Sequence, residues 1–282
     1  TGTPTIHPTI TATPTATPPA DVVCAPAPFG GATGFNLFIL GDLQQQYTDT
    51  EGRLAVGGNA TLTGYGVGRA LPAAADATDT LIVGGHLTYT HGQVYHGQVA
   101  YGDGAELTSV TLLTGAARQD RPLDFADAAA DLQARSAAWA ALPATGTTQV
   151  TDWGAITLAG SDPQRNVFTL AGADLARATS LTIRVPAGAT ALVNIAGTTH
   201  QMQHFGIFLE GVDREQVVYH FPDSEHLTLA GIGVLGSIVA PNAAISFPQG
   251  NLDGLLIGAS LDGGGELHHY PPAVCLPEPA TP

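Results

Sequence analysis

The sequence predicts an all-β protein, an irregular β-solenoid (β-helix) with one long α-helix packed alongside and an extended N-terminal tail. The 282 residues include 35 glycines and 20 prolines but only 12% charged residues, which favours many short strands and tight turns. Glycine separates short apolar runs from Phe35 onwards, and the sequence HGQV occurs twice, at His91 and His96. Irregular repeats of this kind are typical of stacked coils that bury their apolar faces against one another.

One alanine-rich segment breaks this β pattern and predicts a helix from about Phe125 to Leu142. Asp124 is placed to cap the first turn. The residues that share one helical face are Phe125, Ala129, Leu132, Trp139 and Leu142. We therefore expect this helix to pack along the solenoid.

The chain divides into a Thr/Pro-rich tail (residues 1–28), a main domain (29–272) and a Pro-rich C-terminal tail (273–282). In the first 17 residues every odd position is threonine except His7, and the prolines at 4, 8, 14 and 18 are all even. In an extended strand all the missing N–H groups then fall on one edge, and the other edge keeps its donors. This predicts a donor strand that pairs with a sheet edge, most simply of a neighbouring copy; the alternative is a flexible, glycosylated stalk. The residues assigned to this self-assembly tail are Thr3, Thr5, Ile6, Thr9, Ile10, Thr11 and Thr13.

Cys24 and Cys275 are the only cysteines, and they bracket almost the whole main domain. In an oxidising compartment they are expected to form a disulfide that closes the domain at its two ends. The alternative is a pair of free thiols.

Composition excludes several classes of function. The net charge is −15 and the few arginines are scattered, so binding to a nucleic-acid backbone is not expected. The chain contains no lysine, which excludes Schiff-base catalysis, Walker-type phosphate binding and lysine isopeptide cross-links. No apolar run is long enough to span a membrane. The chain starts at Thr1 and has a single methionine, Met202, so we expect a secreted protein whose signal peptide has been removed.

Several blocks of sequence resemble the choice-of-anchor A family of bacterial surface proteins. FNLFILGD starts at Phe35, and DTEGRLAVGGNATLTGYGVG starts at Asp49. The closing block, GVLGSIVAPNAAISFPQGNLDGLLIGASLDGGGELHHYP, runs from Gly233 to Pro271. The resemblance implies an extracellular adhesin with a β-solenoid fold and one helix, similar to ice-binding solenoids. The C-terminal LPEPATP is similar to the start of an exosortase sorting signal; an ordinary proline-rich terminus is the alternative.

The family motif is interpreted as structural. Its residues are Asp49, Glu51, Gly52, Arg53, Gly57, Gly58 and Asn59. The glycines are expected to allow corners that other residues could not adopt, and Arg53 to form an ion pair with Asp49 or Glu51.

No residue set has a spacing that predicts catalysis or metal binding. The histidine sets are His200 with His204, His91 with His96, and Glu266 with His268 and His269, and none of them matches a known ligand signature. We therefore expect no enzyme activity, no cofactor and no metal site.

Two functions remain. The first is an extracellular structural or adhesive subunit, forming a homo-oligomer or homopolymer through its tail, with a surface glycan or matrix as target. The second is a monomeric solenoid that binds ice or a glycan. Ice binding usually needs regular rows of threonine, and the sequence offers only Thr61 with Thr63 and Thr88 with Thr90.

Overall fold

The computed structural model describes residues 23–279, which form mainly short parallel strands with few helices. The strands of the first half are β1 (Leu37–Ile39), β2 (Leu43–Gln46), β3 (Asp49–Thr50), β4 (Leu54–Val56), β5 (Ala60–Thr63), β6 (Gly66–Val67), β7 (Asp79–Val83), β8 (His86–Val94), β9 (Gln98–Tyr101), β10 (Gly104–Leu112) and β11 (Ala117–Gln119). After helix α1 (Phe125–Ala140), the second half contains β12 (Thr147–Val150), β13 (Ala155–Ala159), β14 (Arg165–Ala171), helix α2 (Gly172–Ala176), β15 (Ser180–Arg184), β16 (Thr190–Ala196), β17 (Thr199–Gln203), β18 (Gly206–Glu210), β19 (Val217–His220), β20 (His226–Leu235), β21 (Ser237–Asp253), β22 (Leu256–Gly263) and β23 (Glu266–His268).

The chain passes repeatedly through three stacks of parallel strands, so the sheet is solenoid-like. The A stack runs in the spatial order β14, β16, β19, β21, β22, β1, β4, β7, β9, β11. The B stack runs β17, β20, β21, β22, β2, β5, β8, β10. The C stack runs β20, β21, β23, β3, β6, β8, β10, with a four-stranded sheet of β12, β13, β15 and β18 beside β20. The longest strands bend at corners and therefore belong to more than one stack, and β21 belongs to all three.

The two halves of the chain wind separately and meet in the middle of the solenoid. Leu256 of the last coil pairs with Leu37 of the first coil, and Leu267 pairs with Thr50. The first half winds from this junction to one end, α1 returns along the A stack, and the second half winds back from the other end. A single sequence period is therefore absent, although Leu81, Val99 and Ala117 are successive partners 18 residues apart.

Residues that point inward form one continuous apolar core along the solenoid. Leu256, Leu37, Leu54 and Leu81 are consecutive neighbours in the A stack, and each is fully buried. Burial of each such side chain contributes about 1.5–3 kcal/mol. In the B stack, buried and exposed residues alternate along strands such as β2 and β5, and this alternation fixes their register.

Helix α1 confirms the predicted helix. The Asp124 side chain accepts hydrogen bonds from the N–H groups of Ala126 and Asp127, as an N-cap should. Leu132 and Trp139 are fully buried against the outer side of the A stack. The sequence predicted a single helix, and the structure adds the short helix α2 and three 3₁₀ turns (Gly30–Ala32, Ala73–Ala77 and Arg214–Gln216).

A buried polar network fixes α1 to the sheet. The Ser136 hydroxyl donates to Nε2 of His220 (2.7 Å), and Nδ1 of His220 donates to Oδ1 of Asn194 (2.7 Å). Nδ2 of Asn194 donates to the Trp139 carbonyl (3.0 Å). Because His220 is fully buried, desolvation lowers its pKa to about 4.

The predicted disulfide is confirmed. Cys24 is bonded to Cys275, with 4.6 Å between their Cα atoms, and the Ala25 amide donates to the Leu276 carbonyl beside them. Ala25 and Leu276 are both buried, so the segments flanking the disulfide pack on the solenoid. The predicted tail residues Thr3 to Thr13 lie outside the described residues.

Candidate binding face

The acidic residues of the family motif lie on the C stack. Glu51 accepts hydrogen bonds from Arg69 and from the His269 amide (both 3.0 Å). Burial raises the pKa of Glu51, but these two hydrogen bonds outweigh it, so the pKa lies below its ordinary value. The pKa of Asp49 is raised, first by burial and then by the carboxylate of Glu266 on the adjacent strand. Hydrogen bonds therefore hold the Glu51 carboxylate in place.

The predicted ion pair of Arg53 with Asp49 or Glu51 is wrong. Nε of Arg53 donates to the Asp79 carbonyl (2.9 Å), and its guanidinium lies 4.1 Å from the centroid of the Phe35 ring. Arg53 thus joins successive coils by a backbone contact and a cation–π contact. The cation that pairs with Glu51 is Arg69, which comes later in the chain than the motif.

The glycines of the motif are required because the coils approach closely. A Cβ on Gly57 would lie 2.2 Å from the Leu40 carbonyl oxygen, and one on Gly52 would lie 2.4 Å from Nδ1 of His269. A Cβ on Gly58 would lie 2.3 Å from Oδ1 of Asp42. None of these three glycines has a positive φ, so the corner conformation expected from the sequence is not the reason for them. They are needed because a Cβ would collide with the neighbouring coil.

Asn59 continues a ladder of hydrogen bonds along the corner between the A and B stacks. Its amide donates to Oδ1 of Asp42 (2.7 Å), and its own Oδ1 accepts from the His86 amide (2.9 Å). The interactions link three successive coils. Asn59 therefore helps to form the edge of the B stack.

One histidine of each set considered from the sequence makes a structural contact. His96 pairs with Asp76 (2.8 Å), His268 pairs with Asp253 (2.7 Å), and Nε2 of His200 donates to the Gly197 carbonyl (2.9 Å). Within residues 23–279, no group of three or more His, Cys, Asp or Glu side chains is arranged to hold a metal ion.

An extended exposed polar surface lies on the outer side of the B stack, here called the B face. The register places one outward residue of each coil in a single row, and adjacent residues in the row are about 4.8 Å apart. This central row consists of Gln201, Thr228, Ser246, Asp262, Gln44, Thr61, Thr88 and Glu106. A parallel row contains Gln46, Thr63, Thr90 and Thr108.

The middle of the B face is a shallow depression of about 550 Å³. Its floor and rim carry the side chains of Asp42, Gln44, Asn59, Thr61, His226, Thr228, Ser246, Ser260 and Asp262. Apolar residues, among them Leu43 and Ile245, also line it, and none of the lining residues is an arginine. This surface offers repeated hydrogen-bonding groups and negative charge.

A family model described as "Putative Ice-binding-like adhesive domain" matches residues 28–269. The chain belongs to this family of ice-binding-like adhesive domains. Choice-of-anchor A, the family that the sequence blocks resemble, stays a prediction.

This adhesive domain is also similar to two solved structures. One is an ice binding protein from an Antarctic Biological Consortium, with 15% identity, a TM-score of 0.45, and coverage of 90% of this chain and 94% of that one. The other is an ice-binding protein from the Antarctic ascomycete Antarctomyces psychrotrophicus, with 17% identity, a TM-score of 0.34, and coverage of 86% and 98%. No curated protein matches the chain significantly. In residues 23–279 of the adhesive domain, no helix is both long and apolar enough to cross a bilayer.

Sequence reasoning missed the B face of this adhesive domain. Gln44 lies between Asp262 and Thr61 in the central row, although Asp262 is near the other end of the chain. The only local signal is the alternation Thr61-x-Thr63 and Thr88-x-Thr90, which places pairs of threonines on one side of their strands. The residues that continue the row beyond these threonine pairs, such as Asp262, come from the second half of the chain, so they depend on how the two halves meet.

Proposed function

We propose that this protein is a secreted, non-catalytic adhesive domain that binds an extended, hydroxyl-rich surface outside the cell through its B face. The polysaccharide of a cell surface or matrix is the target that we favour. The observation that carries this proposal is the central row of exposed Thr, Ser, Gln and Asp side chains along the whole B stack.

The shape of the B face supports a large ligand. The depression is shallow and open, whereas sites for small ligands are concave and bury most of the ligand. A flat row with a regular repeat makes many weak contacts with a repetitive surface, and such contacts combine into strong adhesion. The same openness disfavours catalysis, because a catalytic site normally excludes water from the reacting groups.

The charge of the B face favours a sugar over ice. Asp262 and Glu106 interrupt the central row, and Asp42 lies at its edge. Carboxylate groups accept hydrogen bonds from sugar hydroxyls, and side-chain amides both accept and donate them. Ice remains the second candidate, because Thr61, Thr63, Thr88 and Thr90 form a two-by-two block in register.

Matched substitutions of exposed threonines test this proposal. Thr61→Tyr places a bulky ring in the central row, and Thr111→Tyr places the same ring on the C stack, where Thr111 is also exposed. We expect Thr61→Tyr to weaken adsorption to insoluble polysaccharides at least about tenfold and Thr111→Tyr to leave it unchanged. Equal adsorption of the two variants would contradict binding by the B face. Adsorption of the unmodified protein to ice but not to polysaccharide would favour the second candidate.

The proposal includes self-assembly of the adhesive domain through its N-terminal tail, as the parity of the tail's prolines suggests. We also assign the domain to the choice-of-anchor A type, with an irregular β-solenoid and a location at or beyond the cell surface. The alternative is a monomer on a flexible stalk.

A further inference from the structure

The two ends of the solenoid differ in how they are closed. At the end formed by the second half, β12 covers the outer edge of β13 in antiparallel pairing, and α2 packs on β17. The amides of Thr145 and Gly146 donate to the Val167 carbonyl, which covers the edge of β14 (2.9 and 3.0 Å). This end is capped.

The end formed by the first half is open. Among the described residues, β10 has one strand partner, β8, and its other edge is free. Leu107 points inward beside the core residue Tyr89, yet 39% of its surface is exposed, and Leu113 just beyond the strand is 55% exposed. Solenoid ends normally need a cap, because the last coil otherwise leaves its backbone groups and core side chains in water.

We propose that the free edge of β10 binds the N-terminal residues 1–18 of a second copy of this chain as an added parallel strand. This inference extends the self-assembly part of the proposed function and does not depend on what the B face binds.

The direction of the existing hydrogen bonds determines how such a strand fits. In β8, outward Gln93 donates back to the Tyr65 carbonyl of the preceding coil (3.0 Å). In β2, inward Leu43 donates forward to the Asn59 carbonyl (2.9 Å). An added parallel strand must therefore donate to β10 from its outward residues, and the N–H groups of its inward residues point to the new free edge.

The tail sequence fits this hydrogen-bonding pattern, because its prolines up to Pro18 all lie at even positions. If its odd residues donate to β10, their threonine side chains point outward, and the even residues Ile6 and Ile10 point inward over Leu107. The even prolines then occupy the positions whose N–H groups would have no partner. In an antiparallel strand the threonines would instead face the core. Parallel addition thus extends the threonine rows of the B face beyond Thr108.

The point at which the tail joins the main domain lies near the opposite, capped end of the solenoid. Residue 23 adjoins Cys24, which is bonded to Cys275, and the Cys275 amide donates to Oγ1 of Thr190 at the start of β16 (2.7 Å). In the A stack β16 is eight strands from β11. At about 4.8 Å per strand, β16 and β11 are about 38 Å apart. A donor at one end and an acceptor at the other produce a head-to-tail contact that repeats into a fibre.

Two adjacent proline substitutions in the full chain test the pairing. Thr11→Pro removes an odd N–H group, which faces β10, and Ala12→Pro removes an even one, which faces the free edge. We expect Thr11→Pro to raise the protein concentration needed for assembly at least about tenfold, and Ala12→Pro to leave it unchanged, by sedimentation velocity. Similar assembly of both variants, or a full chain that stays monomeric, would overturn the proposal.

A mixing experiment identifies the acceptor. Ala105→Pro removes an inward N–H group on the free edge of β10 and leaves the hydrogen bonds to β8 intact; Leu107→Asp is a second acceptor variant with a different defect. Each acceptor variant, mixed with Thr11→Pro, has one working donor and one working acceptor, so the mixture should form dimers but no longer chains. Unmixed variants that unfold at the temperature of the unmodified protein serve as the folding control. Absence of dimers in both mixtures would contradict β10 as the acceptor, whatever Thr61→Tyr does to surface binding.

Discussion

Acidification should loosen the attachment of α1 to the solenoid through His220. The pKa of this buried histidine is about 4 in the folded protein, against 6.5 for an ordinary histidine. The unfolded chain therefore binds a proton before the folded protein does, and stability is lost as the pH falls from 6.5 towards 4. The loss from this residue is about 2 kcal/mol between pH 7 and pH 5, and about 3 kcal/mol in full.

The variant His220→Gln tests this pH dependence of stability. Glutamine can still accept a hydrogen bond from Ser136 and donate one to Asn194, but it does not titrate. We expect the variant to be less stable at pH 7, since it packs less well beside Trp139, but to lose about 2 kcal/mol less than the unmodified protein between pH 7 and pH 5. Urea unfolding at both pH values measures the difference, and the exposed His226→Gln is the control. If His220→Gln and the unmodified protein lose the same stability over this interval, the argument from burial is refuted.

Three further changes should alter stability, measured by urea unfolding. The amide of Gln45 is buried without a hydrogen bond among the described residues, so Gln45→Met should stabilise by about 1–3 kcal/mol, whereas Gln44→Met at the exposed neighbouring position should have little effect. Asn36 is buried at the junction of the two halves, where it donates to the His268 carbonyl (3.0 Å) and accepts from the Gly52 amide (3.0 Å); Asn36→Ala should cost about 2–4 kcal/mol. Replacement of Cys24 and Cys275 by alanine should cost up to about 5 kcal/mol, because the disulfide closes a very long loop; an unchanged unfolding midpoint would contradict this.

Elements with a local signal could be predicted from the sequence. The cap at Asp124 and the spacing of Leu132 and Trp139 were sufficient to place α1, because a helix depends on neighbours within a few residues. The pairing of Cys24 with Cys275 followed from their number and positions.

Features that depend on which strands become neighbours could not be predicted. The partner of Arg53 is a carbonyl in the next coil, and the role of the motif glycines depends on how closely that coil approaches. The corners between the B and C stacks use Tyr47, His91 and His204 at φ values from 53° to 56°. Left-handed positions are usually occupied by glycine or asparagine, so the sequence did not predict corners at these residues.

Hydroxyl-radical footprinting of the protein adsorbed to polysaccharide tests the central claim most directly. His86 and His226 report on the B face, and Trp153 and Phe208, exposed by 72% and 55%, report on other surfaces. If the B face binds the surface, oxidation of His86 and His226 should fall several-fold on adsorption while oxidation of Trp153 and Phe208 stays the same. Protection of Trp153 and Phe208 with continued oxidation of His86 and His226 would contradict the account.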